Sequence, residues 1–171
     1  MKGEDMKKRS LYLAVALTAV ALFGCSKDGE ETVIESGQEA YLRELATTLN
    51  GSWKGELYSS VTNTTEHEDI VFKKWDKPQE VVSLFGTFTG YGVAELRHYY
   101  DDGLLLTEDY CIFALDTWGN EPLVIFYPCN DELEVVSRED KRSIELLDGN
   151  SFNMRTYGTG EATSLHYTRQ N

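Results

Sequence analysis

Glu66-His67-Glu68-Asp69 places an imidazole and three carboxylates in four consecutive positions. These are residue types that ligate divalent metals. On a strand, His67 and Asp69 point to one face, and Glu66 and Glu68 to the other. No second histidine is near in sequence, and a metal site needs three or four ligands. The string therefore reads as a solvated, charged strand start, and no metal site is assigned. Asp101-Asp102, Glu108-Asp109 and Asp131-Glu132 have the composition needed for glycoside hydrolysis, where two carboxylates flank one bond. Two of these pairs fall in turns, where Asp is favoured for backbone reasons. His98 and His166 read as isolated strand residues. No Ser-His-Asp or Cys-His set and no glycine-rich phosphate loop can be picked out. The expectation is a protein without catalytic residues and without a cofactor.

The N-terminus carries a different chemistry. Lys7, Lys8 and Arg9 precede an apolar run, Leu11 to Phe23, broken only by Thr18. Basic, then apolar, then small is the order of a secretory signal, and the run is shorter than the ~20 residues a membrane helix needs. Leu22-Phe23-Gly24-Cys25 resembles the lipobox of bacterial lipoproteins. The resemblance implies cleavage after residue 24 and acylation of Cys25 on sulfur and on its new amine. Several acyl chains hold a protein to a membrane stably where one does so only marginally. Residues 1–24 are thus expected to be a signal peptide, and 25–36, opening with Ser26-Lys27-Asp28-Gly29-Glu30-Glu31, a polar tether without a fold of its own. Acidic residues after the lipidated cysteine also resemble the surface-export signal of Bacteroidota-type lipoproteins. The expected location is the outer membrane, on its periplasmic face or at the cell surface.

The full chain has a net charge of −13; loss of residues 1–24 leaves 12 basic and 27 acidic groups, hence −15. That balance excludes nucleic acid as a partner, since a phosphate polymer calls for clustered Lys and Arg. Nothing in the sequence fixes the oligomeric state. Cys111 and Cys129 are the cysteines of the folded part, in a compartment where disulfides persist. With a turn centred near Trp118-Gly119, Cys111 faces about residue 126, and a bridge needs another register, because the two Cα atoms must lie within ~7 Å. A bridge and two buried thiols both remain open.

Several aromatic residues sit at strand ends and bends: Trp75 before Asp76-Lys77-Pro78, Trp118 in Asp-Thr-Trp-Gly-Asn, and Tyr91, Tyr99 and Tyr100 around another bend. Rings at loop mouths can stack on sugars or line a small apolar pocket. They can also pack over the rim.

These side chains need a scaffold. Ser36-Gly37-Gln38-Glu39 reads as a capping box, and Tyr41, Leu42, Leu45 and Leu49 recur at helical spacing before Asn50-Gly51, giving a helix over 38–49. From Gly51 onward the pattern is period two, with strands expected near 52–62, 66–75, 80–89, 91–100, 104–116, 122–129, 132–138, 143–147, 151–157 and 163–169. Ile144 and Leu146, Phe152 and Met154, and Leu165 and Tyr167 share apolar faces, with polar alternates between them. The expectation is an all-β, antiparallel up-and-down meander over 37–171. Closure into a barrel removes its edges.

Gly51-Ser52-Trp53, after a short helix and opening the first strand, resembles the Gly-x-Trp motif of the lipocalin (calycin) superfamily. In that superfamily the tryptophan closes one end of an eight-stranded barrel, and a basic residue of the last strand packs across it. Arg169, with the parity of Leu165 and Tyr167, is the matching residue. The similarity covers roughly 38–171 and looks closest to small lipocalin-like lipoproteins of Bacteroidota. The lipocalin Thr-Asp-Tyr motif has no counterpart; Thr107-Glu108-Asp109-Tyr110 lies inside a mid-chain strand. The reading that follows is a lipid-anchored barrel that binds a small apolar or amphiphilic ligand, or a partner, at its mouth. The alternatives are a surface glycan-binding accessory protein and a structural or inhibitor-like interaction module.

Overall fold

The computed structural model describes residues 36–59, 64–156 and 164–171. The signal segment, Cys25 and the tether as far as residue 35 lie outside the described residues. One helix, α1 (Gly37–Leu49), precedes eight strands: β1 (Gly51–Ser59), β2 (Thr64–Ser83), β3 (Gly86–Tyr99), β4 (Leu105–Trp118), β5 (Glu121–Pro128), β6 (Asp140–Asp148), β7 (Ser151–Thr156) and β8 (Ser164–Gln170). Each pairs antiparallel with the next, and β1 pairs with β8, so the meander closes into a barrel.

The helix forms as its sequence dictates. Glu39 N donates to Ser36 Oγ at 3.2 Å, and Ser36 N donates to the Glu39 carboxylate at 3.1 Å. Leu42, Leu45, Ala46 and Leu49 are buried, whereas Tyr41 stays exposed. The buried stripe joins the main core and covers the barrel end at which β1 begins. We call the opposite end, where β3 turns into β4 and β5 leads to β6, the mouth.

The ten expected strands become eight. The segments near 66–75 and 80–89 are not separate: β2 runs through an irregularity between Lys74 and Gln79, and β3 runs through a shift between Gly90 and Gly92. These breaks bend the β2–β3 hairpin across the outside of the barrel. There Phe88 stacks on Tyr127 with ring centroids 3.7 Å apart, over Ala114, Leu123 and Ile125. The segment 132–138 forms only an isolated bridge, Cys129 with Val135.

The interior is filled rather than hollow. Trp53, Phe72, Phe113, Phe126, Phe152 and Tyr167 are all but fully buried. Trp53 meets Phe152 at 4.6 Å, and Phe72 meets Phe113 at 5.2 Å, both edge to face. Burying each such ring contributes about 2–3 kcal/mol. These rings occupy the part of the interior in which an apolar ligand of a carrier would lie.

Cys111 and Cys129 are free and buried. The turn falls at Gly119-Asn120, with Trp118 opposite Glu121, which sets Cys111 opposite Pro128 rather than residue 126. Cys129 lies one step further, its amide donating to Tyr110 O at 2.8 Å. Period-two alternation turns the two thiols to opposite sides of the sheet, so the register does not build a bridge. Burial pushes the Cys111 thiol up to about 12.

Candidate functional site at the barrel mouth

The two ends of the barrel are built differently. At the helix end, the Arg169 guanidinium carbon lies 4.2 Å from the centroid of the Trp53 ring. Arg169 donates to Thr48 O at 2.5 Å, to Asn50 O at 3.0 Å and to Gly149 O at 3.3 Å. Trp53 Nε1 donates to Leu49 O at 2.6 Å. These bonds satisfy carbonyls at the end of α1, which the helix itself leaves without partners. Gly51 sits at φ +128°, and a Cβ there would meet Arg169 Nη1 at 2.8 Å. The Gly51, Trp53 and Arg169 side of the sequence reading is thus one closing device.

Toward the mouth, the inward positions change from aromatic to charged. Glu68 on β2 has the parity of Ile70 and Phe72, and Arg142 on β6 that of Ile144; they are only 2% and 5% exposed. Arg142 Nη1 donates to Glu68 Oε1 at 2.6 Å, and Arg142 Nε to Asp140 Oδ2 at 2.8 Å. His98 Nε2 stands 3.0 Å from Glu68 Oε2, and the Tyr167 hydroxyl donates to Glu68 Oε1. The Arg142 guanidinium also lies over the Phe126 ring, 5.1 Å from its centroid. Gly55 makes room for this arrangement. It is the cross-strand neighbour of both Glu68 and Tyr167, and a Cβ there would collide with the Tyr167 ring.

The electrostatics follow from this packing. Burial by itself would raise the Glu68 carboxyl, but the His98 hydrogen bond and the Arg142 charge outweigh it and hold the group at about 2. The same hydrogen bond raises His98. Burial opposes the charge of Arg142, yet Glu68 and Asp140 keep it firmly protonated. Burial, followed by the Glu68 charge, raises Tyr167 well above its ordinary value. A carboxylate held so acidic is a poor base, and a phenol held so basic is a poor acid near neutrality. The cluster's chemistry is that of a fixed ionic floor.

Around that floor stands an exposed apolar rim. The β3–β4 turn carries Tyr100 and Leu104, the latter 63% exposed, followed by Leu105 and Leu106. The loop after β5 adds Leu133, held at φ +63°, and Val136. Cys129 N to Tyr110 O joins the base of that loop to β4, so the two stretches are neighbours along the rim.

The aromatic candidates divide between the ends. Tyr99 and Tyr100 are at the mouth. Tyr91 is buried beneath α1, and half-buried Trp75 lies in the β2 irregularity, where both line a cavity of about 180 Å³ with Arg43 and Lys74. Trp118 is 68% exposed at the β4–β5 turn. No single plane holds Trp75, Trp118 and the mouth tyrosines. Another cavity, about 540 Å³, lies on the outer surface where β5 and β6 stop pairing, lined by Tyr41, Glu121, Glu145, Asn153 and Arg155.

Two sequence expectations are corrected here. Glu68 belongs to the core rather than to a solvated strand start, and His98 is partnered rather than isolated. Parity was the available signal: a carboxylate alternating with Ile70 and Phe72 must point inward. His67 and Asp69 do face outward, with His67 Nδ1 3.8 Å from Glu56. Among the described residues, no group of three or more His, Cys, Asp or Glu side chains is placed to hold a metal ion.

No protein-family model matches the chain, and no curated protein does. Among solved structures, a de novo designed fluorescence-activating β-barrel is similar, with a TM-score of 0.47 and 13% identity over 73% of this chain and 96% of that one.

Proposed function

We propose that this protein is a lipid-anchored, exported binding module that engages a small amphiphilic ligand, or a partner, at the mouth of a packed lipocalin-like barrel. A closed up-and-down barrel is a fold capable of ligand binding. One observation carries the reading to the mouth: exposed Tyr100, Leu104, Leu105 and Leu106 stand at the same end as the Glu68–Arg142–His98 floor. An amphiphile meets apolar contact at the rim and the accessible imidazole of His98, 34% exposed above the buried Glu68–Arg142 pair, which is how pockets combine affinity with orientation. The lipobox-like Leu22-Phe23-Gly24-Cys25 supports acylation at Cys25 and attachment to the outer membrane, at its periplasmic face or outside.

The test is native mass spectrometry of the mature protein purified from its own host in mild detergent. Expected are a diacylglycerol-modified, N-acylated Cys25 and a co-purified small molecule that is lost from a Leu104→Ser/Leu106→Ser variant. An unmodified Cys25 overturns the anchor. Retention of the small molecule by the variant overturns the mouth.

A second reading rests on the filled interior and on the β2–β3 hairpin, whose tip leaves Leu84 98% exposed with Val82 beside it. A structural or inhibitor-like interaction module would use that tip. It predicts loss of partner binding on Leu84→Asp with the mouth unaffected.

A further inference from the structure

Charge is unevenly distributed along this chain. Between residues 98 and 137 there is no Lys or Arg, while nine Asp and Glu occur. Two of the nine, Asp116 and Glu121, flank the β4–β5 turn at the helix end. The others collect at the mouth. Asp101, Asp102 and Asp109 are exposed on the β3–β4 hairpin, and Asp131, Glu132 and Glu134 on the loop after β5. Glu108 is answered by Arg97, whose Nε lies 2.7 Å from it. Lys54 on β1 shares the lining of a cavity of about 280 Å³ with Asp101 and Gly103; beyond the loop, Lys141 is taken up by Glu139 at 3.2 Å, and Arg138 precedes Glu139 in sequence.

The same two segments carry Tyr100, Leu104, Leu105, Leu106, Leu133 and Val136, all exposed. Apolar side chains interleaved with one sign of charge are uncommon on a surface that faces only water. They match a partner that presents the opposite sign and the same apolar spacing.

We infer that the mouth hairpin, residues 99–109, and the adjoining loop, 130–136, form a docking surface for a cationic amphipathic polypeptide segment. This inference rests on the mouth reading above and names the chemistry of its partner. The partner's Lys and Arg side chains face Asp101, Asp102, Asp131 and Glu132, and its apolar face lies on Leu104, Leu106 and Val136. An anionic lipid surface is repelled by the same carboxylates.

The mature full-length protein would be titrated against a fluorescein-labelled helical peptide patterned with Lys and Leu, and against its Glu and Leu counterpart, by anisotropy. The Lys peptide is expected to bind, and to weaken steeply as NaCl rises. The Glu peptide is expected not to bind. An Asp101→Asn/Asp102→Asn/Asp131→Asn/Glu132→Gln variant keeps the fold by circular dichroism and binds the Lys peptide at least tenfold more weakly, as does Leu104→Ser/Leu106→Ser. Equal binding of the two peptides, or undiminished binding by the neutralised variant, overturns the inference. If the Lys peptide fails to bind while the leucine variant still loses its co-purified molecule, this inference falls and the mouth reading stands. If neither effect is seen, both fall.

Discussion

The guanidinium of Arg169 lies over the indole of Trp53 and reaches past it to the carbonyls of Thr48 and Asn50 at the end of the helix. The last strand thereby fastens the first strand and the helix together, at the place where a barrel closes and its edges disappear. Arg169→Ala removes a cation–π contact worth about 1 kcal/mol and charge-assisted hydrogen bonds worth about 2 kcal/mol each. Because Arg169 is only half-buried and water replaces part of these bonds, urea denaturation is expected to show a loss of at least about 3 kcal/mol, less than their full sum. Arg169→Lys recovers less than half, because one ammonium cannot address the same spread of carbonyls. Equal stability of Arg169→Lys and the native protein contradicts this role.

The ionic floor should behave as a unit. Glu68→Gln leaves Arg142 with Asp140 alone, and Arg142→Met leaves Glu68 with His98 and Tyr167, so each costs somewhat less than the ~3–5 kcal/mol of a wholly unpaired buried charge. The double variant is expected to cost less than the sum of the two, with a coupling of at least ~1 kcal/mol in a double-mutant cycle. Additive losses would mean that the two groups do not interact as placed.

The same pair predicts a pH profile. Glu68 is depressed from 4.5 to about 2 in the folded protein. Its contribution, on the order of 3 kcal/mol, is therefore present above pH ~4.5 and is lost as pH falls toward 2. His98 is raised above 6.5. Its contribution is full below pH ~6.5 and is lost as pH rises through the folded value. Stability at constant ionic strength should peak between these limits. His98→Gln should flatten the alkaline side and, because Glu68 loses the imidazolium that helps hold it acidic, move the acid-side loss toward higher pH. An unchanged alkaline side in that variant would remove His98 from the network.

Thiol chemistry tests the register of β4 against β5. Cys111 and Cys129 are buried, and burial raises both thiols. Reaction with a disulfide reagent depends on the thiolate and on access, so labelling of these two should be slow in the native protein and stoichiometric after denaturation without reductant. A failure to label both after denaturation would indicate a bridge and a shifted strand pair.

Much of the fold can be read from local rules, because those rules act on neighbours in sequence. Ser36 and Glu39 cap α1 as their spacing requires, and Ile144, Phe152, Met154, Leu165 and Tyr167 alternate into the core. Trp53 and Arg169 could be paired through a resemblance and a parity. What local rules missed was set at long range. Lys74 to Gln79 looked like the end of one strand, because Pro78 and the charged residues beside it suggest a break. Yet the chain continues and folds over β4 and β5, where Phe88 finds Tyr127. Glu68 looked solvated, because its neighbours Glu66, His67 and Asp69 are polar and its stabilising partner, Arg142, is 74 residues away. Trp75, Tyr91 and Trp118 looked, like Tyr99 and Tyr100, to be rings at strand ends and bends; their division between the two ends of the barrel follows from strand direction, which composition does not reveal.

The most direct test of the mouth as the working surface is amide chemical-shift mapping of the mature protein in detergent micelles, on addition of the co-purified amphiphile or the Lys and Leu peptide. Shifts confined to residues 98–109 and 129–142 are predicted. Shifts centred on Tyr41, Glu145, Asn153 and Arg155, or on Trp75 and Lys74, would place the ligand in an outer cavity and contradict the account.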